Sequence, residues 1–94
     1  MLFHVTDEGL VHRILREGLI GNPVVYLATA YQFALDIRYC QVTAGEKFGA
    51  CQVFAVTGEY ELLIDPHVRA TPIGYAAYMV YQDIPPHHLH LVYA

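Results

Sequence analysis

Apolar residues open the chain at Leu2, Phe3 and Val5 and then recur at helical spacing at Leu10, Val11, Ile14 and Leu15. The first group predicts a short buried strand over residues 2–5, the second an amphipathic helix that runs to about Glu17. Thr6 stands where an N-cap belongs, and Asp7 and Glu8 follow in the first turn, where acids suit the helix dipole. His12, Arg13 and Arg16 fall outside the apolar stripe. Gly18 is expected to end the helix in a left-handed cap, with Leu19 and Ile20 as its hydrophobic closure. Gly21-Asn22-Pro23 then predicts a turn.

Residues 24–28 are mostly apolar and read as a second buried strand, with Thr29 as a second candidate cap. A helix from 30 to about 41 would bury Ala30, Phe33, Ala34 and Ile37. Residues 42–50, with two glycines, read as a loop. Four further strands are expected at 51–56, 60–64, 76–81 and 89–93, separated by Gly58, Asp65-Pro66, an irregular stretch with Pro72 and Gly74, and Pro85-Pro86. The order β-α-β-α-β-β-β-β predicts an α+β domain over residues 1–94, with two N-terminal helices and a mixed, mainly antiparallel sheet.

Composition narrows the class. Hydrophobic residues make up 55% of the chain and charged residues 15%, which excludes disorder. Eight tyrosines on so sparsely charged a chain imply either apolar surface that meets a ligand, a partner or a second copy, or a core rich in Tyr and Ala. A net charge of −4 with five Lys and Arg, and no basic run, disfavours a nucleic-acid duplex as partner but leaves a small nucleotide open. Cys40 and Cys51 form no disulfide framework and are expected to be reduced. The N-terminus has no basic region followed by a long apolar run, and residues 18–34 are broken by Gly21-Asn22-Pro23, so neither a signal peptide nor a membrane span is expected. A cytoplasmic location follows as the expectation.

The residue types at the strand ends can be set against the needs of one chemistry. Cleavage of a nicotinamide–ribose bond needs an aromatic face for the ring, a backbone donor and acceptor for the carboxamide, and hydrogen-bonding side chains for the ribose. It also needs a carboxylate near the oxocarbenium-like transition state. His4 on the first strand, backbone groups of Val5, the Thr6 hydroxyl, Tyr26 on the second strand and Tyr39 near the end of the second helix supply most of that set.

These residues sit in LFHVT at 2–6, RILREGL at 13–19, VVYLAT at 24–29, FALDIRYC at 33–40 and AAYMVY at 76–81. In this order, over roughly residues 2–86, they resemble the minimal catalytic domain of ADP-ribosyltransferases, the poly(ADP-ribose) polymerase-like branch in particular. The resemblance implies a compact ADP-ribosyltransferase-like fold and NAD as substrate, with ADP-ribose passed to a macromolecular acceptor. It implies that His4 and Thr6 bind ribose hydroxyls and carboxamide, that Val5 gives backbone hydrogen bonds, that Tyr26 lines the pocket and that Tyr39 stacks on nicotinamide. Asp36 falls where a small hydroxyl residue often contacts the carboxamide, and Val5 replaces a usual glycine.

The largest departure is Ala77, in the place of the glutamate before Tyr-aliphatic-aliphatic-Tyr. His4 and Tyr26 are then the catalytic positions that remain. Asp83, Gln82 and Glu46 are the candidates to stand in for the missing acid. A non-catalytic nucleotide-binding or protein-interaction module on the same scaffold is the competing expectation. RNA 2′-phosphotransferases share the His-x-Thr strand, but their arginine pattern has no match here. Two plainer readings stand beside these: His4 as a half-buried strand histidine bonded to a neighbour, and Thr6 as a helix cap. His87, His88 and His90 have no nearby Cys, Asp or Glu to complete a metal set and read as a polar chain end.

Overall fold

In the computed structural model, residues 1–21, 23–32, 34–35, 51–66 and 76–92 are described. β1 spans Leu2–Asp7, β2 Val25–Ala28, β3 Cys51–Val56, β4 Leu63–Ile64, β5 Ala77–Val80 and β6 Leu89–Val92. They form one sheet in the order β4-β5-β2-β1-β3-β6, and every neighbouring pair is antiparallel. The α-helix α1 covers Val11–Glu17. The α+β class therefore holds, with a fully antiparallel sheet among the described residues.

The start of α1 differs from the capped helix that the sequence predicts. β1 continues through Thr6 to Asp7, because β3 pairs with it residue for residue up to Asp7↔Cys51. Asp7 does the capping instead: its carboxylate accepts from the Gly9 amide at 2.9 Å and closes a 3-10 turn over Glu8–Leu10. Thr6 is buried within the strand. The short helix that follows buries Val11 and Ile14, while Leu10 and Leu15 are left exposed. A seven-residue helix lying on a sheet needs only a narrow stripe, and two residues fill it.

Gly18 ends α1 at a positive φ of +82°, but its ψ of −172° lies outside the left-handed cap expected and sends the chain straight into extended Leu19. Leu19 and Ile84 then exchange two main-chain hydrogen bonds, each 2.9 Å, and the Gly21 amide donates to Asp83 Oδ1 at 2.8 Å. The segment after α1 is thus clasped to the turn after β5. A Cβ on Gly18 would lie 2.2 Å from the Ile84 carbonyl oxygen, so the position demands glycine for space as well as for φ.

Residues 31, 32, 34 and 35 are helical, and the Ala34 amide reaches the Ala30 carbonyl at 3.0 Å. Most of the second expected helix lies outside the described residues. The Thr29 hydroxyl accepts from the Ala76 amide and the Thr29 amide donates to the Ala76 carbonyl, both at 2.9 Å, tying the chain after β2 to the start of β5. Of the strand expected at 60–64, only Leu63–Ile64 pairs with β5. The Tyr60 hydroxyl instead bonds His88 Nδ1, and burial raises its pKa above the ordinary tyrosine range.

Register sorts the strand residues onto two faces. Phe3 pairs with Ala28 and Ala55, and Ala28 pairs with Ala77, so these four share a face. His4, Thr6, Leu27 and Phe54 lie on the other. The main core forms on this second face, where Leu27, Phe54 and Val56 pack with Val11 and Ile14 of α1 and with Leu19 and Ile84 of the clasp. The opposite face carries a smaller cluster of Ala28, Ala34 and Ala77, bordered by Phe3 and Val5. The Tyr31 ring meets Phe3 edge-on there, with centroids 6.4 Å apart. No helix among the described residues is long and apolar enough to cross a membrane.

Replacing Gly18 by Ala is expected to cost about 2–4 kcal/mol, because strain at positive φ adds to a clash with main chain that cannot swing away. Chemical denaturation of the two proteins checks this. A loss below 0.5 kcal/mol would mean that the Leu19–Ile84 clasp is not maintained in solution.

Candidate functional site

β1 is zipped to β3 along its whole length but meets β2 at a single register pair, Phe3↔Ala28. Just past that pair, His4 Nδ1 lies 2.8 Å from the Tyr26 carbonyl oxygen. A carbonyl only accepts, so Nδ1 carries a proton and donates it. His4 is half-buried, and its ring orientation is set by a main-chain group of the neighbouring strand. The plainer reading of His4, a strand histidine bonded to a neighbour, describes this contact correctly.

His4 and Thr6 lie along one wall of an open cleft of roughly 330 Å³ between β1 and α1. Arg13, Ile14 and Glu17 of α1 form the facing wall, and Gly18, Leu19 and Ile20 close one end. Thr6 is 5% exposed and marks the inner end, whereas the Arg13 side chain is 68% exposed at the rim. Arg13 Nε donates to Glu17 Oε2 at 2.8 Å, and Arg16 Nη2 lies 3.8 Å from Glu17 Oε1. The bond from Arg13 holds the Glu17 carboxyl below its ordinary pKa, so it is charged at neutral pH. The cleft thus offers an imidazole, a buried hydroxyl, an apolar wall and one arginine–carboxylate pair.

Not all the residues singled out by sequence share it. Tyr26 gives its carbonyl to His4, but its ring lies on the opposite face, in register with Met79, and is 52% exposed. The Val5 side chain lies on that face too. So does Ala77, which is 3% exposed and packed against Ala28 and Ala34. Asp36, Tyr39 and Glu46 lie outside the described residues. Asp83 is engaged by the Gly21 amide in the clasp, and Gln82 is exposed beside it. Among the described residues, no three His, Cys, Asp or Glu side chains converge as a metal set.

Arg13 and Glu17 were not among the residues that motif reading selects for the site. Their signal was their position: a charged i,i+4 pair on the helix that directly follows the histidine strand, with Arg13 off the apolar stripe.

Placing Glu at position 77, as Ala77→Glu, is expected to lower stability by about 3 kcal/mol or more, because a carboxylate would enter a filled alanine cluster without a partner. For a chain of this size that is a fall in Tm of roughly 10–20 °C, readable by calorimetry. An unchanged Tm would show that the side chain escapes to solvent and that the position is open.

No family model matches the chain, and no curated protein or solved structure matches it either.

Proposed function

We propose that this chain is an ADP-ribosyltransferase-like domain that holds NAD or an ADP-ribose-containing nucleotide in the β1–α1 cleft and does not turn NAD over. The observation that carries this reading is His4: its ring is fixed by the Tyr26 carbonyl where β1 parts from β2, and it lines, with Thr6, a cleft of ligand size. The ordered motifs from LFHVT to AAYMVY support the same scaffold, with a second helix extending toward residue 41. At roughly 330 Å³ the cleft is at the small end of ligand sites, which run from about 300 to 1,000 Å³. It suits one nucleoside half of the dinucleotide. Few cysteines and a net charge of −4 fit a cytoplasmic protein.

The absence of turnover rests on Ala77. Its methyl group can neither steady an oxocarbenium ion nor orient a nucleophile, and it is enclosed on the face opposite His4. One observation favours an active transferase as the second reading: Glu17 brings a charged carboxylate to the same cleft as His4. That enzyme would release nicotinamide and pass ADP-ribose to a macromolecular acceptor, and Glu17→Gln would abolish the release.

ADP-ribose at 100 times its Kd is expected to stabilise the protein by about 2.7 kcal/mol, seen as a rise in Tm. NAD is expected to do likewise with no nicotinamide released, and His4→Ala is expected to remove the response to both. No response to NAD, ADP-ribose or their component nucleosides would refute the nucleotide reading.

A further inference from the structure

We infer that Arg13 is the phosphate-recognising residue of this cleft and that Glu17 is its internal stand-in for the ligand, so that a nucleotide binds with its nucleoside inside and its phosphate at the rim on Arg13. This rests on the reading of the cleft as a nucleotide site and adds to it a ligand orientation and a displaceable counter-ion.

The lining sets the orientation. The cleft combines the buried hydroxyl of Thr6 and the imidazole of His4 on one wall with the exposed guanidinium of Arg13 on the other. Ile14, Leu19 and Ile20 supply the apolar surface between. An occupant that matches has a flat, weakly polar body with hydroxyls and an anionic tail, which is the chemistry of a nucleoside phosphate. The guanidinium carries five N–H donors in a fork suited to phosphate oxygens, and only Nε is engaged by Glu17 at hydrogen-bond distance.

Charge distribution supports the same end. The chain carries a net −4 and only five Lys and Arg, yet two of them, Arg13 and Arg16, stand one turn apart on α1 around Glu17. An anion drawn to this protein has a local reason to approach there.

The pair is also weak as structure, which is what a stand-in requires. Both side chains are well exposed, and water screens exposed ion pairs. Arg precedes Glu, the less favourable order along a helix, and Glu17 is the last residue of α1, where the dipole opposes an acid. A ligand phosphate at Arg13 therefore displaces a contact that contributes little to the fold.

The test compares adenosine, AMP and ADP-ribose by calorimetric titration on wild type, Arg13→Ala, Arg13→Lys and Glu17→Gln, with Tm as the folding control. Arg13→Ala is expected to weaken AMP and ADP-ribose about tenfold and to leave adenosine within twofold. Arg13→Lys is expected to recover only part of that loss, because an ammonium lacks the fork. Glu17→Gln is expected to tighten the two phosphates severalfold, with adenosine unchanged. Wild-type affinity for AMP should fall with added salt while that for adenosine does not. Equal losses for adenosine and AMP on Arg13→Ala, or weaker phosphate binding by Glu17→Gln, would overturn the inference while leaving the nucleotide reading intact. Binding of none of the three would overturn both.

Discussion

β1 is paired with β3 at all six residues on one side and with β2 at Phe3↔Ala28 on the other, and the hydrogen bond from His4 Nδ1 to the Tyr26 carbonyl joins the strands where that pairing stops. This asymmetry shapes the rest. A central strand closed on both sides would spend its main-chain groups on neighbours and carry its side chains into packed layers. Here one edge opens past Phe3, and a side chain does the joining. The imidazole is anchored at Nδ1 by a group that cannot donate, which fixes its orientation.

The same register divides the sheet into two unequal faces. On the side of His4, α1 and the Leu19–Ile84 clasp build the larger core around Leu27 and Phe54, and the cleft is the part of that interface that Ile14 and Thr6 leave unfilled. On the other side, small residues at 28, 34 and 77 let the chain after Thr29 approach the sheet closely. Ala77 therefore has a structural reason to be alanine, independent of any reaction. A larger or charged side chain at this position would displace that close packing.

Much of the fold was legible because the strands are apolar runs bounded by Gly and Pro. Residues 51–56 came out as a strand with the bounds read from sequence, and all six strands occur in the expected order. What escaped was local competition. Thr6 and Asp7 are both good caps, and pairing to β3 decided in favour of Asp7. The tie from the Thr29 hydroxyl to the Ala76 amide was not legible either, because the two residues are far apart in the chain. Leu10 and Leu15 fit the helical period, yet the seven-residue helix buries only Val11 and Ile14 and leaves them exposed. For the site, His4 and Thr6 were visible as alternate residues on one strand and do share a wall of the cleft. The Tyr26 ring could not be placed, because its side depends on register with β1, which no periodicity within β2 reveals. Asp36 and Tyr39 lie outside the described residues, and the comparison does not reach them.

The clasp links these features to the cleft. Gly18, Leu19 and Ile20 close one end of it, and they are held by two main-chain bonds to Ile84 and by Asp83 on the Gly21 amide. The turn before Pro85-Pro86 thus sets how far the cleft wall stands from β1, although no residue of that turn lines the cleft. Asp83 acts here as a bracket. Its carboxylate is spent on an amide that would otherwise face solvent, and in return Leu19 is kept at 5% exposure within the core. The cleft therefore has one wall set by β-sheet register and another set by a glycine that tolerates positive φ against a carbonyl. Both are main-chain constraints, which is why its shape depends less on the identity of its lining side chains than on Gly18 and on the strand pairing of β1.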